Sequence, residues 1–148
     1  MKLPIYELRS SENFTTFEFT STGPKGEIPK LIQFSATNYR DVFNLAFGDK
    51  NPETGGLDDI VISNNGDSEK ILATVVRCVY AFTQNNPEAW IYASGSTKSR
   101  TRLYRMGIAK FFEEAKKDFE IYGQINDEWE SFRSNVDYEA FLVKLRNA

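Results

Sequence analysis

The spacing of hydrophobic residues changes its period along the chain, and the changes mark the elements. In FTTFEFTST, Phe17 and Phe19 alternate with Thr16 and Glu18, the period-two pattern of a strand with one buried face. TGPKG supplies turn chemistry through Gly23, Pro24 and Gly26, and IPKLIQFSA then sets Ile32, Phe34 and Ala36 on one face. The two runs and their turn predict a hairpin. YRDVFNLAFGD is legible as a strand or a short helix, and the alternation of Phe43, Leu45 and Phe47 before Gly48 favours the strand. GDKNPETGGLDD predicts a polar loop and the least ordered region, and DIVIS (59–63) a short buried strand.

From Ser68 the period becomes helical. Ile71, Leu72, Val75, Val76, Val79 and Phe82 form one stripe, Asp67 or Ser68 can cap the start, and Glu69 suits the positive helix end. NNP at 85–87 ends this helix, because the residue before proline resists helical geometry. AWIYAS predicts the next strand. A second long helix, roughly Thr97 to Asp118, carries Leu103, Tyr104, Gly107, Ile108, Phe111 and Ala115 on its inner side. FEIYG predicts a further strand. DYEAFLVKLRN predicts a short terminal helix with Tyr138, Phe141, Leu142 and Leu145 inward.

The expected fold is α/β (α+β), a single domain over 1–148. It has a mixed, largely antiparallel sheet with a β-α-β crossover, two long helices and a short C-terminal helix. The crossover joins strand 59–63, helix 68–84 and strand 89–93, right-handed if the strands are parallel. Both following loops, NNGD and SGSTK, then leave the carboxyl ends of strands, where open α/β sheets take their ligands.

Composition narrows the chemistry more than it names it. With 41% hydrophobic and 26% charged residues the chain is an ordinary globular one. No apolar run approaches the about 18 residues of a membrane span, and the start has no apolar signal region, so no membrane contact and a cytoplasmic location are expected. There is no histidine, which removes Ser-His-Asp and Cys-His catalysis and histidine-ligated zinc. Cys78 is the only cysteine, set among apolar residues, so a packed core thiol is expected and no internal disulfide can form. The acidic residues Asp49, Glu53, Asp58, Asp59 and Asp67 match no calcium-loop spacing; no metal and no cofactor are expected. Trp90 and Trp129 are expected to pack rather than serve as stacking platforms.

Against a net charge of −3, SGSTKSRTRLYR concentrates Lys98, Arg100, Arg102 and Arg105 after a Gly-Ser-Thr turn. Cations at a helix start oppose the macrodipole. Arg100 also falls on the inner side, where an unpaired charge is costly. One reading supplies an internal carboxylate, Asp58, Asp59 or Asp67. The other supplies a bound anion held by Gly95, Ser96, Thr97, Lys98, Arg100, Arg102, Tyr104 and Arg105: a nucleotide, a nucleic-acid phosphate or an acidic protein surface. The turn Asn64, Asn65, Gly66, Asp67 is a candidate second loop, for which ordinary turn chemistry with Asp67 as a cap is the favoured explanation.

The combination NNGDSEKILATVVRCVYAF, GSTKSRTRLYRMGI and FEIYG resembles an uncharacterised family of small bacterial proteins, a domain of unknown function of Bacteroidetes-type genomes. That resemblance covers most of the chain and implies no activity. In the order of its elements the chain is also similar to the GNAT acyltransferases. Their turn before the first of these helices carries Q/R-x-x-G-x-G/A, whose amides hold the acetyl-CoA pyrophosphate. Here that turn lacks the second small residue and has Asp67 where a pyrophosphate would approach. The resemblance implies, as an alternative to a binding module, a divergent N-acyltransferase with Tyr104 or Tyr122 as its acid.

Overall fold

The computed structural model of the chain describes residues 4–58, 65–95 and 98–146. Among these lie β1 (Arg9–Ser10), β2 (Thr16–Gly23), β3 (Gly26–Ala36), β4 (Val42–Lys50), β5 (Leu57–Asp58), α1 (Ser68–Asn85), β6 (Trp90–Ala93), α2 (Lys98–Ala115), β7 (Phe119–Ile125), β8 (Glu128–Ser131) and β9 (Ala140–Leu145). The strands form one sheet in the order β1-β2-β3-β4-β6-β9-β7-β8, with β5 paired to β4 outside that path. Every pairing is antiparallel except β4 with β6. The sheet is thus mixed and mostly antiparallel, in an α+β chain.

The alternation in the first third is realised as drawn. Phe17 and Phe19 of β2, Ile32 and Phe34 of β3, and Leu45 and Phe47 of β4 are all buried on one face. The stripe of α1 covers that face: Phe82 stacks on Phe34 at 4.3 Å and meets Phe43 edge-on at 5.0 Å. Helix α2 lies beside α1, with Gly107 against Leu72. Below them, an apolar space is lined by residues of α1, α2, β4, β6 and β9, among them Val75, Tyr104, Ile91 and Phe141. Both helices therefore pack on the same side of the sheet.

Three expectations need correction or restriction. The C-terminal segment is a strand: β9 lies between β6 and β7 and pairs with both. Its apolar run, AFLVKL, satisfies helical spacing and a central strand alike, and the two open edges of β6 and β7 decide for the strand. In the expected crossover, the strand at 59–63 lies outside the described residues. Among those described, the parallel neighbour of β6 is β4, with α1 in the connection between them. The polar stretch after Gly48 carries more strand structure than expected, since β4 runs on to Lys50 and β5 turns back on it with Asp49 opposite Asp58. Within that turn the Asn51 side chain accepts the backbone N–H groups of Glu53 and Thr54, at 2.8 and 3.2 Å.

Candidate functional site

Helix α2 starts three residues beyond Gly95, itself two residues past the end of β6. The Gly95 N–H donates to the Thr101 hydroxyl oxygen at 2.9 Å, which pins the approaching chain to the helix's first turn. That turn holds no acidic residue. Lys98 and Arg102 are exposed, and among the described residues neither has an ion-pair partner. Arg105 is turned the other way, its Nη1 donating to Asp137 Oδ1 at 2.5 Å. Tyr104 is 6% exposed and belongs to the core, which suits the inner stripe of α2 and not a ring offered to solvent. Ser96 and Thr97 lie outside the described residues, as does the side chain of Arg100. Of the predicted set, the outward cations among the described side chains are Lys98 and Arg102.

The second loop is a fastening. Asn65 is buried, and its side chain spans the β2–β3 turn. Its Oδ1 accepts the Lys25 N–H at 2.7 Å, while Nδ2 donates to the Gly26 carbonyl at 2.9 Å and to Ser21 Oγ at 3.2 Å. Gly66 takes a positive φ of 73°, the left-handed region open to glycine, and packs over Pro24. Asp67 occupies the N-cap position, but its carboxylate makes no side-chain cap. Instead Oδ2 accepts from the Tyr6 hydroxyl and, at 2.5 Å, from Ser21 Oγ. Its other oxygen is buried with no partner among the described residues. The cap expected of Asp67 is thus replaced by a tie between the start of α1, the hairpin and the N-terminal segment. Asn64 and Asp59 lie outside the described residues.

No sequence signal marked Tyr6 and Ser21 for this cluster, because their partner stands 61 and 46 positions away. The same holds for Lys30, whose ammonium, 3% exposed, pairs with Asp49 across β3 and β4. Cys78 is fully buried, and burial pushes its thiol well above the usual range, so it is a core residue as read. Tyr122 stands on the sheet face away from the helices, where its hydroxyl donates to Glu120 Oε1 at 2.8 Å.

Through its described residues, the α2 start can act by charge and hydrogen bonding. It offers an ammonium and a guanidinium to solvent on a helix end that favours negative charge. No curated protein and no solved structure matches the chain. A family model described as a family of unknown function, DUF6934, matches residues 2–146, and the chain belongs to that family.

Proposed function

We propose that the protein is a small binding module that holds an anionic group at the start of α2, over Gly95 to Arg105. The observation that carries this reading is the pair Lys98 and Arg102, exposed and, among the described residues, without ion-pair partners in an acid-free first turn. Several other cations stand beside a carboxylate: Arg105 with Asp137, Lys30 with Asp49, Lys50 with Glu18. Arg102 supplies a forked donor that suits phosphate or carboxylate, and Lys98 a point charge beside it. A nucleotide, a nucleic-acid phosphate and an acidic protein surface share that chemistry.

The test is thermal unfolding of the wild type and of Lys98→Ala/Arg102→Ala with inorganic phosphate, nucleotides and a short oligonucleotide. A ligand at about 100 times its dissociation constant adds about 2.7 kcal/mol to the wild type only. Equal shifts in both proteins, or none, sink the reading. If the oligonucleotide is the ligand, binding falls steeply with salt, because phosphate contacts release counterions.

A second reading, a divergent N-acyltransferase, is favoured by one observation: α1 connects the parallel neighbours β4 and β6, and α2 follows β6 directly. Against it, the side chains of Asn65 and Asp67 are engaged by the hairpin. Calorimetric titration with acetyl-CoA decides: no binding at millimolar cofactor ends it.

A further inference from the structure

Under the two helices the core is not filled. The space between α1, α2 and the strands β4, β6 and β9 is a cavity of about 80 Å³, whereas close-packed interiors leave few voids larger than a water molecule. Among the described residues its walls are apolar, and Tyr104 is the one of them with a polar group in its side chain. A buried water needs two to four polar partners, so walls of this kind do not hold one. Ile91 and Phe141, both fully buried, form its floor. The lining ends at Val76, Val79 and Ile108, half-buried on the two helices, which puts the way out in the groove between α1 and α2.

The residues that leave this space open run against the preferences of their elements. Val75, Val76 and Val79 are β-branched residues inside a helix, where the branch loses rotamer freedom. A leucine at any of them suits the helix better and carries a longer side chain. Gly107 stands midway along α2, where only proline is less favourable. Local preference is broken where something else is gained by it. Around this cavity the gain is room.

We propose that the cavity is a binding site for a small hydrocarbon group, uncharged and without hydrogen-bonding atoms in the part enclosed. Walls with no atoms opposite them forfeit dispersion contacts, and a guest of matching size restores them. Apolar cavities in proteins take up benzene or xenon on this ground. At about 80 Å³ the guest is a few carbon atoms in size. A free small molecule and the end of a longer chain, entered by way of the helix groove, share that chemistry. The site lies inside the core and is independent of the anion reading on the outer side of α2.

Methyl-resolved NMR of the full chain, titrated with xenon, with n-butane and, in a second series, with octan-1-ol, tests it. A neutral alcohol avoids the cations of α2. The expected result is a set of saturable shifts centred on the methyl groups of Leu72, Val75, Val79 and Ile108. Displacement of xenon by octan-1-ol identifies the guest as a chain end; binding of xenon and butane alone identifies a free small molecule. Gly107→Ala moves Leu72, itself part of the wall, because the new β-carbon would stand 2.8 Å from Leu72 Cδ2. Val75→Ile adds a methyl group to the opposite helix. Each variant keeps the wild-type circular dichroism and weakens binding about fourfold or more, the scale of one buried methylene. Shifts that rise with the probe and never saturate overturn the proposal. So does saturable binding that both variants leave unchanged, or that maps to methyl groups away from the cavity.

Discussion

A β-carbon on Gly23 would come within 2.0 Å of the Asn65 carbonyl oxygen, so the β2–β3 turn and the start of α1 are in contact that only glycine allows. Backbone, not a pliable side-chain end, stands in the way. Gly23→Ala therefore costs about 1–3 kcal/mol by overpacking, read as a lower urea midpoint at unchanged slope. Asn65→Ala removes the other half of the fastening and leaves the Lys25 N–H and Gly26 carbonyl without their buried partner. Its cost is about 1–3 kcal/mol, and the double variant loses less than the sum because both act on one contact.

Two other glycines separate clash from tolerance. A β-carbon on Gly123 would meet ring atoms of Tyr138 at 2.4–2.6 Å, and Tyr138 is 2% exposed with its hydroxyl donating to Glu130. The ring has nowhere to go, so Gly123→Ala destabilises by about 1–3 kcal/mol. At Gly107 the nearest atom is Leu72 Cδ2, at 2.8 Å, the end of a side chain that can rotate. Alanine there gains about 1 kcal/mol of helix propensity, which offsets the shift of Leu72. Urea unfolding of the two variants should therefore differ clearly, with Gly107→Ala near the wild type.

The Lys30–Asp49 pair is asymmetric in burial, with the lysine the more deeply enclosed. Asp49→Ala strands a buried ammonium and is expected to cost about 3–5 kcal/mol. Lys30→Met keeps the stem's packing near Phe47 and removes the charge with it. It should cost clearly less, since replacing a buried charge by an apolar side chain of similar volume is often close to neutral. Equal losses in the two variants would contradict this account.

The alkaline limb of stability follows from groups held above their ordinary values. Burial raises the Cys78 thiol above 9.0. Burial, then a hydrogen bond to Asp118, raises the Tyr80 phenol above 10.0. The hydrogen bond to Glu120 raises Tyr122, and burial followed by the hydrogen bond to Glu130 raises Tyr138. Each group keeps its proton longer when folded, so its contribution is whole below the unfolded value and disappears as pH rises through the folded one. Urea midpoints should hold between about pH 6 and about pH 8, where no histidine titrates, and fall towards about pH 11. Tyr80→Phe should make that fall shallower.

The sequence by itself determined the parts whose neighbours are near along the chain. Alternating Phe17 and Phe19, or Leu45 and Phe47, made strands because a pleated chain turns successive side chains to opposite faces. The stripe from Ile71 to Phe82 made a helix for the corresponding reason at its own period, and the same stripe on α2 put Tyr104 inward. The cations of α2 were legible too, as a local excess in an acidic chain. What tertiary structure alone decided involves partners far apart in sequence. AFLVKL became a strand because β6 and β7 offered two unpaired edges, a fact outside its own spacing. Asp67 left its expected cap for Tyr6 and Ser21, and Arg105 turned to Asp137. Lys30 found Asp49 across a strand register. The short edge strands β1 and β8 also formed only through pairing, for runs of 2 and 4 residues carry too little period to announce themselves. Periodicity fixes which side of an element is apolar; which element covers it, and which charge meets which, depends on contacts that exist only after the chain has closed on itself.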